Sequence, residues 1–371
     1  MSTPGLITTA EIGRFVIPLE RPVRLGAAEI RERAYVALRL TLDDGSEGYA
    51  YGYDRGMPLY EVATEAARRY VGQSVSALDA LRLSALGPTP APRATMVRGV
   101  SLCDIALWDA LCHSAGEPLH AKLGTVKDRV ALMPVIGYGM TPEVAAREGA
   151  ALADRGFRTI KLMIDGGNLD FDTKVVKALA AALPEGVRFG LDAHWSWKSA
   201  TEAAPWARLA DETGALFLED PVAPTDWRIA AELRADLSTP LCLGEDAIDL
   251  AALRDMCEGA DILRLDAAAS GGIGYVREGL KMARDRNKTV IPHVFATLHQ
   301  HFGYADDVVT RIEAILPELG ADPIDNFLKY PLTIRDGDAC APDVPGAGTE
   351  LDWDALAAFV TRKEILTHEP I

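Results

Sequence analysis

No apolar run in this chain is long enough to cross a bilayer: stretches such as 215–218 fall far short of the ~20 residues a spanning helix needs. A transmembrane role is therefore not expected. Nor is there an excess of positive charge. Lys and Arg total 38 against 54 Asp and Glu, a formal net charge of −16, which leaves no electrostatic footprint for nucleic acid and would repel an anionic membrane. Residues 1–9 show no basic stretch followed by an apolar core, so no secretory signal is expected. There is no Cys-x-x-Cys pair either. The five cysteines, Cys103, Cys112, Cys242, Cys257 and Cys340, are odd in number and irregular in spacing, which suits reduced, buried thiols and a cytoplasmic location. Low-complexity tracts are also missing. These absences leave a small-molecule or metal-dependent role as the expectation.

What is present is a chain of 371 residues, 49% hydrophobic and 25% charged, with room for two domains and a large core. Residues 1–125 read as an α+β domain. Segment 34–42 alternates, Asp43-Asp44-Gly45 supplies a turn, and 47–53 resumes the alternation, which is a hairpin signal. Segments 59–71 and 97–113 carry apolar residues at helical spacing, with Gly116 placed to stop the second. From Arg129 a beat of short apolar strand, turn and amphipathic helix sets in. It predicts strands at 131–137, 159–164, 189–194, 215–219, 241–245, 262–266 and 289–293, and helices at 143–155, 171–182, 200–212, 227–235, 250–257 and 275–286. That alternation predicts a parallel α/β sheet over 126–330. Rhythm alone leaves an open doubly wound sheet possible. Residues 331–371, with Pro342, Pro345 and Gly346-Ala347-Gly348, read as a return segment ending in a short helix near 353–361 and packing on the N-terminal domain.

The polar residues favour a closed barrel. Asp192, Glu219 and Glu245 end three successive predicted strands at separations of 27 and 26 residues, one βα unit each. In a parallel barrel this places three carboxylates side by side at the C-terminal face, where barrel active sites lie. Any one of them alone reads equally well as a loop acid or helix cap. Three in phase repel one another unless a cation is present, and an all-oxygen set suits Mg²⁺ better than Zn²⁺. Asp220 and Asp246, which follow two of them, read as supporting or capping residues. Asp266 and His293 end the next two strands, again 27 residues apart, so a carboxylate can orient an imidazole and raise its basicity. A lone His after Pro292 is more often structural than catalytic; its phase with Asp266 favours a general base. Lys161 shares a strand face with Met163, and a lysine facing into a barrel needs an anion unless it snorkels to the mouth.

Lys161, the three carboxylates, the Asp266/His293 pair and Glu313 together resemble the mandelate racemase subgroup of the enolase superfamily. So does the stretch from Leu102 to Gly124, with Asp104-Ile-Ala-Leu-Trp-Asp109. The likeness covers nearly the whole chain. It implies an α/β fold, a modified (β/α)8-type barrel with an N-terminal α+β capping domain, assembled as a homo-oligomer and acting on a small-molecule carboxylate. It also implies that Asp192, Glu219 and Glu245 bind Mg²⁺, that Lys161 and Glu313 contact the substrate carboxylate, and that Asp266/His293 form the acid/base dyad. His194 resembles the second member of an Asp-x-His arrangement found in some sugar-acid dehydratases, as a substrate contact or proton donor, although a hydrogen-bonded loop His would read the same. The capping domain shapes the distal pocket in this family, which makes Arg21, Arg24, Tyr53 and Arg55 candidate contacts; each alone also reads as a solvated surface residue. One departure matters: the second Lys of the subgroup's Lys-x-Lys is here Met163, and a thioether cannot act as a base. The resemblance thus implies an acid-sugar dehydratase, with a racemase or epimerase, or a non-catalytic binding barrel, as rivals.

Overall fold

A long antiparallel hairpin begins the chain in the computed structural model, which describes residues 5–25 and 28–368. Strands β1 (Ile7–Leu25), β2 (Ala28–Leu42) and β3 (Glu47–Tyr53) lie side by side, the last two joined by the predicted Asp43-Asp44-Gly45 turn. β1 goes unmarked by the alternation pattern because Pro18 and Pro22 punctuate it. The sheet absorbs them where its register with β2 shifts between Pro18 and Val23. Helices α1 (Leu59–Tyr70), α2 (Leu78–Leu86), α3 (Pro90–Ala115) and α4 (Leu119–Leu123) follow, and α3 ends at Gly116 in the left-handed region, as its sequence predicts.

Helix α3 joins this cap to the rest of the molecule, buried against β3 on one side and against barrel helices on the other. Gly48 is what lets β3 approach it, since a Cβ there would stand 2.0 Å from the Ala106 carbonyl oxygen. Asp109 then fastens the joint: its carboxylate accepts hydrogen bonds from the backbone N–H groups of Tyr49 (2.8 Å) and Ala347 (2.5 Å), tying β3 to the C-terminal segment.

The predicted βα beat then appears in order. Strands β4 (Arg129–Ile136), β5 (Thr159–Met163), β6 (Arg188–Asp192), β7 (Leu218–Glu219), β8 (Leu241–Leu243), β9 (Ile262–Leu263) and β10 (Thr289–Val290) pair in parallel, each with the next. Between them run α5 (Pro142–Asp154), α6 (Leu169–Ala182), α7 (Ala200–Thr213), α8 (Trp227–Ala235), α9 (Leu250–Met256), and the pair α10 (Ala267–Ser270) and α11 (Gly272–Asp285). After α12 (Ala296–Ala305) comes an eighth strand outside the predicted set, β11 (Ile312–Ala314), parallel to β4 with Glu313 opposite Met133. The Val290–Val309 bridge closes the remaining gap. The result is a closed eight-stranded barrel; among the described residues no α-helix follows the eighth strand.

The tail does not end in the expected helix. After the hairpin β12 (Ile334–Arg335) and β13 (Asp338–Cys340), a single 3₁₀ turn over Ala355–Phe359 leads into strand β14 (Val360–Thr367), which pairs antiparallel with β1 at the edge of the cap sheet. Its β-branched Val360, Thr361, Ile365 and Thr367 suit that edge. Among the described residues no helix is long and apolar enough to cross a membrane.

Candidate active site

Period-two alternation builds the site. Met133, Phe217, Cys242, Ile262 and Ile291 form a separate apolar cluster within the barrel. Two residues beyond Phe217, Ile262 and Ile291 come Glu219, Arg264 and His293, on the same strand faces and one layer nearer the C-terminal mouth. Glu245 is three residues beyond Cys242, so simple alternation would turn it outward. Gly244, at φ +130°, resets the phase, and a Cβ there would stand 2.7 Å from the Arg264 carbonyl oxygen.

The buried Lys161 Nζ lies 2.8 Å from Asp192 Oδ2, 2.9 Å from Glu219 Oε1 and 2.7 Å from Glu313 Oε1. A second buried cation, Arg264, was not among the sequence candidates, although its position two residues before Asp266 carries the alternation signal that would have found it. Its Nε is 3.1 Å from Glu219 Oε1, its Nη2 contacts Glu313 Oε2 and is 3.8 Å from Glu245 Oε2, and its Nη1 donates to the carbonyls of Ile291 and Pro292, both at 3.1 Å.

The acids still outnumber these cations. Glu219, Asp220 and Glu245 each offer an oxygen within 4.8 Å of the others. Glu219 Oε2 and Asp220 Oδ1 are buried without a hydrogen-bond partner among the described residues. Burial, with help from neighbouring carboxylates, pushes Glu219 up to about 7 and raises Asp220 and Glu245 as well. Burial also opposes the charge on Asp192, but Lys161 and Arg264 outweigh it and hold that carboxyl below its usual range. Orphaned carboxylate oxygens in an under-compensated acidic cluster fit a hard divalent cation such as Mg²⁺. Of the expected triad, Glu219 and Glu245 lie together with Asp220, and Asp192 joins them through Lys161. Asp220 Oδ2 accepts from Trp195 Nε1 at 2.9 Å, so this residue does more than cap the strand end.

Beside the carboxylates, His293 Nδ1 is 2.8 Å from Asp266 Oδ2, while Asp266 Oδ1 accepts from the Ala268 and Ala269 N–H groups at 2.7 and 3.3 Å. This fixes the tautomer with the Nδ1 proton on the Asp266 side and the Nε2 lone pair on the other. Nε2 lies 3.3 Å from Arg55 Nη2 and 3.5 Å from Glu245 Oε2. Burial, then Arg55, Arg264 and Lys161, hold His293 well below its usual pKa, so the ring is neutral at pH 7; burial pushes Asp266 up to about 6.

A cavity of ≈ 950 Å³ between cap and barrel opens onto this cluster, lined by Lys161, Met163, Asp192, Glu245, His293 and Glu313 from the barrel. His194 also lines it, stacked on Trp195 with ring centroids 4.3 Å apart and kept neutral chiefly by burial. From the cap come Arg14, Arg33, Tyr53 and Arg55. Tyr53 presents its ring to the cavity while its hydroxyl donates to Asp322. The structure does not bring Arg21 and Arg24 there. Both are exposed on β1 and stand outside the cavity lining, which the hairpin reaches through Arg14 of β1 and through Ile30, Glu32, Arg33 and Ala34 of β2. Arg98, on α3, is a further residue the sequence reading missed; it bonds Asp246 at 2.6 Å, with Arg55 3.6 Å from the other oxygen.

Residues 143–355, more than half of the chain, match the family described as Enolase C-terminal domain-like. The L-talarate/galactarate dehydratase of Salmonella typhimurium is 25% identical over 335 residues, covering 88% of this chain and 82% of that one. The N-succinylamino acid racemase of Thermus thermophilus is 30% identical over 275 residues, covering 72% and 73%. A crystal structure of the Salmonella typhimurium LT2 dehydratase, liganded with Mg and L-lyxarohydroxamate, superimposes with a TM-score of 0.88 at 22% identity, covering 99% of this chain and 96% of that one. The chain belongs to the enolase superfamily, within its mandelate racemase subgroup.

Proposed function

We propose that this protein is a Mg²⁺-dependent dehydratase of a sugar acid, which removes the proton α to a carboxylate and eliminates the β-hydroxyl to give a 2-keto-3-deoxy acid. The observation that carries the reading is the neutral His293, oriented by Asp266 with its Nε2 lone pair next to the carboxylates that suit a cation. Glu219 and Glu245, with Asp192 and the adjacent Asp220, would hold the ion, which when bound would polarise the substrate carboxylate and acidify its α-hydrogen. Lys161 would give up part of its contact with Asp192, Glu219 and Glu313 to pair with that carboxylate, and Glu313 would stay beside it. His293 would take the α-proton on Nε2 while Asp266 stabilises the resulting imidazolium. The same ring could then return its proton to the departing hydroxyl, which leaves as water; His194 would contact the substrate from the opposite loop.

Met163 supports elimination over two-base racemisation. It lines the cavity two residues after Lys161 and offers no basic atom where a second base would stand. The racemase relative keeps racemisation or epimerisation as the second reading. Incubation with a panel of mono- and dicarboxylic sugar acids plus Mg²⁺, assayed for α-keto acid, tests the proposal. Solvent deuterium entering unchanged acid without loss of water would favour the second reading, and no reaction with any member would count against both.

A further inference from the structure

Arg264 is an unusual resident of a cation site. Its side chain is fully buried and held through both terminal nitrogens: Nη1 donates to the carbonyl oxygens of Ile291 and Pro292 and Nη2 to Glu313, with Glu245 3.8 Å away, while Nε stands 3.1 Å from Glu219 without a hydrogen bond among the described residues. A lysine could withdraw its single flexible ammonium when another cation arrives, but a guanidinium anchored at both ends cannot. Its permanent charge therefore stays among the carboxylates whatever else binds there.

We propose that Arg264 is a positioning residue that acts as a fixed internal counter-charge, setting the divalent-cation affinity of this site low in the absence of substrate. The inference rests on the cation reading proposed above. Glu219 and Glu245 are shared between the guanidinium and the space a cation would fill, so each has less negative potential to offer, and cation affinity in oxygen-ligand sites follows the net charge of the ligand set. Lys161 adds to the effect on the other flank. A substrate carboxylate reverses it, because it brings negative charge and draws the Lys161 ammonium off Asp192 and Glu219. Binding of the two ligands is then mutually reinforcing.

Calorimetric titration with Mg²⁺ alone tests this. The wild-type protein is expected to bind more weakly than about 100 µM. Arg264→Gln, shown to be folded by its thermal melt and far-UV spectrum, should bind at least tenfold more tightly, and Arg264→Lys, which keeps the charge on a side chain able to move aside, should fall between wild type and Arg264→Gln. A guanidinium that merely braces Glu219 and Glu313 predicts the opposite, weaker binding in Arg264→Gln; that result, or an unchanged constant, overturns the inference while leaving the cation site intact. Wild-type binding tighter than about 100 µM overturns it even if Arg264→Gln fails to fold. No Mg²⁺ binding by any of the three proteins removes the cation reading and this inference with it.

Discussion

Replacing Lys161 by methionine removes the one ammonium that three buried carboxylates share, at 2.8, 2.9 and 2.7 Å. At an effective dielectric of ~20, one such pair is worth about 6 kcal/mol of gross attraction. Most of that is offset by the desolvation of both partners, and breaking a buried pair costs about 3–5 kcal/mol because the remaining charge is left uncompensated. Here Asp192 loses its cation while Arg264 stays beside Glu219 and Glu313, so the middle of that range applies. The same vacancy favours a divalent cation. Mg²⁺ at one hundred times its dissociation constant returns about 2.7 kcal/mol, more than half of the loss. The assay is urea unfolding of wild type and Lys161→Met in EDTA and in saturating Mg²⁺. The variant should lose about 4 kcal/mol in EDTA and gain more from Mg²⁺ than the wild type does. Turnover should be abolished in both conditions. A variant within about 0.5 kcal/mol of wild type in EDTA, or one that gains no more from Mg²⁺, would refute the reasoning.

Three further outcomes are expected. Burial raises Asp266 to about 6, so it takes up a proton as the pH falls through that value and no longer holds the Nδ1 proton of His293; kcat should be level above pH 6 and fall about tenfold per unit below it, and Asp266→Asn should lose ~10²–10⁴ in kcat. Asp109→Ala strands the buried N–H groups of Tyr49 and Ala347, which at about 1–3 kcal/mol each should lower unfolding free energy by about 2–6 kcal/mol in a urea titration. Arg33→Met should raise KM for a polyhydroxylated acid by ~10-fold or more with little change in kcat, because Arg33 lines the cavity from the cap and makes no contact with the dyad among the hydrogen bonds and ion pairs of the described residues; an unchanged KM would show that the distal end of the substrate lies elsewhere.

Much of the barrel is legible because its elements are locally self-consistent. Helix 227–235 coincides with α8, and five of the seven predicted strands contain the observed one, shortened because the residues leading into the loops leave the ladder, while β4 and β6 begin two residues and one residue earlier than expected. The dyad and the carboxylates are legible because one βα unit returns the chain to the same face every 26 or 27 residues. Elements governed by distant partners are not. β11 is three residues long with an acid at its centre, so only the family resemblance singles out Glu313. The tail strand β14 depends on β1 for its pairing, and β1 hides behind two prolines. Arg21 and Arg24 are basic residues in the expected domain, but which side of a hairpin faces the cavity is set by its register and not by composition.

Removal of the α-proton by His293 is the step on which the proposed reaction depends. Its most direct test is turnover in D₂O with Mg²⁺ on a sugar acid accepted by the wild type, comparing wild type with His293→Asn and following both keto acid and solvent deuterium. Wild type is expected to give keto acid carrying solvent deuterium at C3, and the variant, while still binding Mg²⁺, to lose ~10²–10⁴ in both elimination and exchange. Elimination or exchange by His293→Asn within tenfold of the wild type would contradict proton removal by His293.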